Sequence, residues 1–332
     1  MSKKKLIQLI LLFVISGFFL YLTFNDLDYK KTFYKFNEFN FFFLPLAFFL
    51  AFISLYLRSL RWGFILGGIV KISQKKLFPI SSVGFLAITI LPFRAGEIVR
   101  PYLLSRSENI PFTSTLTTIF IERALDIIML LTILFFIVIF SEVPNWVLVT
   151  GFILLGALIF AAILTFVIFK TEGIINRFVR KLSVNFPEKF KLFIKKFMEN
   201  LFIGLSVLSK PKELIKVLSL SFALWFVFGM IVYVMFFFHS FDLSIFSSYS
   251  VMSITFLGTL VPAAPGFVGT FQYANSVALS IYGASPEDAA LFSITYYLVV
   301  IGTNIIVGLI FLPFINLDKK TFNKIYDNSK AD

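Results

Sequence analysis

Two stretches of this chain, Leu91-Pro-Phe-Arg-Ala-Gly-Glu97 and Val261-Pro-Ala-Ala-Pro-Gly-Phe267, repeat the pattern apolar-Pro-x-x-x-Gly inside otherwise lipid-soluble sequence. Proline removes a backbone donor and clashes with the preceding turn, and glycine weakens a helix further, so each stretch breaks a helix. A break at membrane depth must be buried in protein or line a wet cavity, because hydrocarbon offers no partner for freed N–H and C=O groups. Interrupted apolar segments in matching positions of two halves point to a transporter site built from inverted repeats.

Composition sets the medium. The chain has 332 residues, 58% hydrophobic and 14% charged, with a mean hydropathy of +0.91. Soluble domains run near half apolar and about a quarter charged, so the expected class is an all-α polytopic membrane protein. The 47 phenylalanines read as a bias toward lipid-facing residues rather than a cofactor device. There are no cysteines, which excludes disulfides, thiolate chemistry and cysteine metal sites. The single histidine, His239, sits just past an apolar span beside Ser240 and Asp242, and is expected to be a solvated loop residue rather than a metal ligand. The net charge of +12 is read as cytoplasmic lysine and arginine drawn to anionic lipid head groups, not as a nucleic-acid footprint. No HExxH, Ser/His pair or phosphate-cradling glycine loop with lysine appears, so protease and ATPase readings have no support and no cofactor is implied.

Expected full spans are 6–24, 40–57, 112–140, 146–169, 213–238 and 288–315, each near the ~20 apolar residues that cross a bilayer. The first follows Lys3-Lys4-Lys5 without a small-x-small cleavage site and reads as retained. Two further apolar regions, 77–104 and 245–282, contain the breaks and read as re-entrant hairpins; two ordinary helices for each region is the competing arrangement. Basic residues orient the chain with both termini cytoplasmic, in the cell membrane. Arg58, Arg61, Lys71, Lys75, Lys76 and the Lys-rich 170–216 segment fall inside, and outer loops at 141–145, 239–244 and 283–287 carry no Lys or Arg. Lys30, Lys31 and Lys35 oppose this assignment, sharing their loop with Asp26, Asp28 and Glu38. The whole chain, 1–332, then forms one membrane domain of two inverted-topology repeats, 6–140 and 146–315, each ordered span, span, hairpin, span. Pro111 and Pro286 precede the closing span of each, where proline suits a first helical turn. Between the repeats, 173–210 reads as a basic amphipathic segment, with apolar residues from Phe190 to Leu208 opposite Lys191, Lys195 and Lys196.

Charges in the apolar regions are the candidate site. Arg94, Glu97 and Arg100 follow the first break, and Glu122, Arg123 and Asp126 lie inside the third full span. An ionisable group at the bilayer centre costs about 2.5–3.5 kcal/mol or more, so it is paired inward or functional. One reading is a purely structural network, such as Arg94–Glu122 or Arg100–Asp126. The other leaves an arginine to meet an anionic ligand with its planar fork. Helices restarting near Gly96 and Gly266 would add two positive N-terminal ends. Around the second break, Pro265, Gly266, Gly269, Thr270 and Gln272 supply close backbone approach and neutral donors, with Asn275 beyond.

At these residues the chain resembles the lysylphosphatidylglycerol synthase transmembrane-region family, the flippase-like domain proteins. The resemblance rests on Leu91-Pro-Phe-Arg-Ala-Gly-Glu-Ile-Val-Arg100, on Ile121-Glu-Arg-Ala-Leu-Asp126, and on Pro262 through Phe271 with Gly283 and Pro286 beyond. It implies a polytopic helical fold and a lipid-flippase role, with relatives tied to aminoacylated phosphatidylglycerol, polyprenyl-phosphate or glycolipid pathways. The soluble aminoacyl-transfer domain of the synthases is not found in this sequence, so aminoacylation is not implied. Gln272 stands where many relatives carry an acidic residue or histidine, which leaves the substrate open.

The expected function is translocation of an amphiphile with an anionic or zwitterionic head group, without enzyme activity and with membrane lipids as the partners. Arg94 and Arg100 would engage the head, and Glu122 and Asp126 would gate or counterbalance them. Two alternatives stand beside it. One is a membrane transferase acting on polyprenyl phosphate or glycolipid, for which Asp26-Leu-Asp28 has the spacing of a metal–sugar-nucleotide motif. The other is a non-catalytic scaffold for a lipid pathway.

Overall fold

The computed structural model describes residues 3–25, 27–92, 96–140 and 211–315, with 145, 148–153, 155–157, 159, 160, 192, 197 and 199. The principal helices are α1 (Lys3–Phe24), α2 (Tyr29–Lys35), α3 (Leu44–Leu66), α4 (Gln74–Ile90), α5 (Gly96–Ser107), α6 (Phe112–Phe140), α7 (Pro211–Phe238), α8 (Ile245–Gly258), α9 (Thr270–Ser280) and α10 (Pro286–Phe311). No strand occurs among the described residues. The all-α expectation holds.

Among the described residues, three helical stretches are long and apolar enough to cross a bilayer: Phe41–Leu66, Pro211–Phe238 and Pro286–Phe314. A fourth arises if Ile10–Phe24 and Tyr29–Glu38, which are bent by 80° from each other, count together. Of the other expected spans, 6–24 is helical as α1 and 112–140 as α6, while 146–169 lies largely outside the described residues, as does the amphipathic segment 173–210. Phe197 of that segment is described, and its ring lies 5.1 Å from that of Phe120.

The chain divides into two compact units, one drawn from Met1–Tyr56, Phe78–Arg100 and Val227–Asp332, the other from Leu57–Leu77 and Pro101–Phe226. Each takes residues from both sequence halves. The first buries Leu55, Phe78, Phe85 and Val307 together, with Ile88 and Phe311 against them. The second buries Ile65, Ile121, Leu125 and Val217 with Phe64. There Trp62 Nε1 donates to Thr118 Oγ1 at 2.8 Å, satisfying an indole that burial would otherwise strand.

Within the first unit, side-chain and backbone bonds collect several loops at one face. Lys35 Nζ pairs with Asp288 at 2.5 Å and donates to Ser285 Oγ at 3.0 Å. Ser240 Oγ donates to the Glu38 carbonyl, and the Asn40 N–H to the Phe238 carbonyl. The end of α7, the start of α10 and the segment 35–40 therefore share that face. Ser285 also caps α10 by accepting from the Asp288 N–H, with Pro286 in the first turn.

His239 lies in this cluster and is buried, not solvated as its position in the sequence suggested. The end of α7 carries it among the rings of Phe39, Phe238, Phe241 and Phe292, with centroids 4.6 to 5.3 Å away. Its Nε2 is 2.7 Å from Thr295 Oγ1. Burial lowers its pKa from 6.5 to about 3, and the Asp288 carboxylate only partly opposes this. The unfolded chain therefore takes up a proton between those two values that the folded chain refuses, and stability falls as pH falls through that window. The expected slope is about 1.4 kcal/mol per pH unit from this group. Thermal melts of the purified protein from pH 7 to 5 check this, with His239→Gln expected to flatten the dependence; an equal slope in the variant would remove His239 as its cause.

Candidate functional site: two broken helices and a buried charge cluster

The second break is a hairpin. Helices α8 and α9 run antiparallel, because Gly258 lets α9 approach: a Cβ there would fall 2.3 Å from the Ala274 Cβ. Thr255 Oγ1 and Asn275 Oδ1 bond across the pair at 3.0 Å. Residues 259–269 form the tip, with a 3-10 turn at Pro265–Phe267 and left-handed backbone at Gly266, φ 71°, and Gly269, φ 91°. The tip rests on α1. Ser16 Oγ accepts from the Ala264 N–H at 2.7 Å, and a Cβ on Gly269 would sit 2.4 Å from the Ser16 carbonyl oxygen. Ser16 is eight residues from the end of α1, about 12 Å at 1.5 Å per residue. The outer ends of α8 and α9 adjoin residues 240 and 285, on the shared face, so the hairpin leaves and rejoins one end of the unit and its tip meets the middle of α1.

The first break is also a hairpin. A Cβ on Gly84 would lie 2.7 Å from the Arg100 Cβ, and one on Gly96 would lie 2.0 Å from the Ile88 nitrogen. Positions 84 with 100 and 88 with 96 thus face each other, which makes α4 and α5 antiparallel with glycine at both contacts. The Arg100 stem fills the space above Gly84, and its guanidinium carbon stands 5.3 Å from the Phe85 ring centroid. Arg100 is buried.

The second tip, the end of α4 and α1 line a partly open cavity of about 220 Å³, bordered by Leu12, Ile88, Leu91 and the run Leu260–Phe267. Its lining side chains are apolar. A Cβ on Gly266 would approach the Thr89 carbonyl oxygen to 3.3 Å, so the second break lies directly beside the end of α4. Volumes of ligand sites usually start near 300 Å³, so this space suits part of an extended molecule rather than a whole one.

The charge cluster belongs to the second unit and centres on Arg61 of α3. Arg61 Nη1 reaches Asp126 Oδ1 at 2.8 Å and Ser221 Oγ at 3.3 Å, while Nη2 stands 3.7 Å from Glu122 Oε1. Arg123 Nη1 adds a second cation 3.4 Å from Asp126 Oδ2. Arg61 and Glu122 are each only 1% exposed. Planar guanidinium geometry lets one side chain serve two carboxylates on successive turns of α6.

Several expected assignments change. Asp126 takes Arg61 and Arg123, in place of the expected Arg100, because α3 continues as helix to Leu66 and carries Arg61 past Asp126. From its sequence position past the span 40–57, Arg61 is expected on the cytoplasmic side outside that span. It lies five residues from the end of α3, about 7.5 Å, so Glu122 is level with the last turns of α3 rather than its middle. The second hairpin's returning helix starts at Thr270, with Gly269 before it, rather than at Gly266. The N–H of its cap residue is already used: Gln272 Oε1 accepts from the Gly269 N–H at 2.8 Å. Thr270 Oγ1 bonds the Phe267 carbonyl and Asn275 Nδ2 the Phe271 carbonyl. These groups shape the tip. Pro265 opens the tip turn, Gly96 is the first residue of α5, and Glu97 follows it partly buried. Arg94 lies outside the described residues, as does Asp26. Asp28 caps α2, accepting from the N–H groups of Lys30 and Lys31. The structure thus gathers Glu122, Arg123 and Asp126 around Arg61, and separately gathers Pro265, Gly266, Gly269, Thr270 and Gln272 at the second tip.

The family model for the lysylphosphatidylglycerol synthase TM region matches residues 9–308. A UPF0104 membrane protein of Methanothermobacter thermautotrophicus is 22% identical over 299 residues, covering 83% of this chain and 87% of that protein. Two UPF0104 membrane proteins of Methanocaldococcus jannaschii are similar as well. One is 26% identical over 72% of this chain and 98% of its own length; the other is 25% identical over 96% and 99%. No solved structure matches.

Proposed function

Since the chain belongs to the lysylphosphatidylglycerol synthase TM region family, we propose that it translocates a lipid with an anionic or zwitterionic head group across the cell membrane, acting as a transporter and not as an enzyme. The observation that carries this reading is the apolar cavity where both broken helices meet the middle of α1. Broken helices converging at depth are how transporters with inverted repeats build a site at the bilayer midplane. The two hairpins enter from opposite faces as members of such repeats, with both chain termini cytoplasmic. The cavity wall suits the lipid's hydrocarbon, and Arg94, in the first break, meets its head group. Gly96 and Gly269 hold the tips close to α4 and α1. The Arg61–Glu122–Asp126–Arg123 network keeps α3 and α6 in register while the hairpins move.

Reconstitution tests this. Liposomes with fluorescent phospholipid in both leaflets are reduced from outside, and the protected fraction is followed. Wild type is expected to expose the inner pool. Ala263→Trp, which fills the cavity from a partly exposed position, is expected to slow exposure at least tenfold while the variant still purifies as a monodisperse species. Arg94→Ala is expected to lose head-group discrimination. Equal rates in wild type and a folded Ala263→Trp variant would sink the proposed path.

A further inference from the structure

The segment 29–43 plays no part in the lipid path proposed above. It holds six exposed aromatic side chains: Tyr29, Phe33, Tyr34, Phe36, Phe41 and Phe42. Phe42 is 82% exposed and Phe33 73%. Isolated exposed aromatics need no explanation, but six within one short segment mark an interaction surface.

Its orientation is fixed by what is not exposed. Lys35 is clasped by Asp288 and Ser285. Phe39 packs on Phe238 and His239, and Phe43 stacks on Phe237 at 5.2 Å. Asn40 and Glu38 join backbone bonds to the end of α7. One side of the segment is thereby locked to the protein. Tyr29 and Phe33 of α2 and Phe36, which caps its C-terminus with helical backbone, recur at i, i+4 and i+7 and share a face, while Lys31 lies on roughly the opposite one.

Direction completes the picture. The helical run Tyr29–Glu38 is turned 80° from Ile10–Phe24. If α1 crosses the bilayer, a helix nearly perpendicular to it at its end lies along the membrane plane. A short helix with aromatic residues on one face and lysines elsewhere is suited to the boundary between head groups and acyl chains. We propose that residues 29–43 form an interfacial anchor, with Phe33 and Phe42 inserted at the head-group boundary of the leaflet where α7 ends and α10 begins, and Lys30 and Lys31 set toward anionic phosphates. This also accounts for lysines that run against the charge bias of the other loops. They serve a lipid surface rather than topology.

Because the chain has no cysteine, single nitroxide labels can be placed without background. Full-length Phe33→Cys, Phe42→Cys and Lys31→Cys variants are labelled separately and reconstituted in vesicles of phosphatidylcholine with phosphatidylglycerol. Collision rates with oxygen and with a water-soluble nickel chelate are then compared. The expected result is a ratio of oxygen to nickel accessibility several-fold higher at 33 and 42 than at 31. Nickel reaching all three positions alike would overturn the proposal. So would exclusion of both reagents at 33 and 42, which would mean that protein, such as a second copy of the chain, covers the patch. Positions 33 and 42 lie in different turns, so either one reads the outcome if the other variant fails to fold.

Discussion

Replacing Arg61 with methionine is expected to cost about 3–5 kcal/mol, the range seen when one partner of a buried ion pair is removed. The loss comes from what remains. Glu122 and Asp126 are nearly inaccessible, and their Arg61 contacts at 3.7 and 2.8 Å are held by one side chain. Arg123, partly exposed and 3.4 Å from Asp126, reaches that carboxylate from its own helix. The measurement is thermal melting of detergent-purified protein alongside its yield from membranes. Arg61→Lys is expected to fall between, because an ammonium lacks the fork that spans both acids. Adding Glu122→Gln and Asp126→Asn to Arg61→Met is expected to recover most of the melting temperature. A methionine variant that melts with wild type would show the acids to be neutralised by some other route.

The second large effect is expected at two glycines. In Gly96→Ala the new methyl would sit 2.0 Å from the Ile88 nitrogen and 2.3 Å from the Ala87 carbonyl carbon, both backbone atoms that cannot rotate away. In Gly269→Ala it would meet the Ser16 carbonyl at 2.4 Å, on a residue whose φ of 91° alanine rarely adopts. Backbone strain of that kind is worth about 1–3 kcal/mol before any steric shift is counted. Each variant is expected to melt lower and to lose most lipid translocation, since either the α4–α5 contact or the seat of the second tip on α1 must open. Gly17→Ala and Gly302→Ala are the controls. Nothing lies within 4 Å of either added methyl, and alanine is the better helix former by about 1 kcal/mol. Those two are expected to be neutral or slightly stabilising. Indistinguishable behaviour of all four would dismiss the close helix contacts as determinants of the site.

The breaks were legible because proline and glycine act locally. Pro92 with Gly96 and Pro262 with Gly266 each interrupt a helix whatever surrounds them, and in the structure one helix ends and another starts on either side of both. Helix type and the approximate extents of α1, α6, α7 and α10 followed from apolar run length. The partner of the acidic pair did not follow. Arg58 and Arg61 read as the end of a span because charge normally marks the interface, yet the helix runs on through Trp62 and Ile65, both fully buried. Only the apolar residues after Arg61, at helical spacing, hinted at continuation. His239 failed similarly. Ser240 and Asp242 beside it read as a loop, whereas the rings of Phe39 and Phe292, distant in sequence, join those of Phe238 and Phe241 to bury it. Residue type alone makes Gln272 a neutral donor for a ligand, whereas local geometry turns its oxygen back on Gly269.

The bond from Ala264 to Ser16 joins residues 248 apart in the chain. During synthesis α1 is made long before its seat exists, and the Ser16 hydroxyl must wait for a residue added 248 positions later. Closure of that long loop is entropically late and slow. Seating of α1 is therefore a late event, with one segment locked by another made long after it, and a chain stalled before the second hairpin would leave α1 adrift and open to quality control.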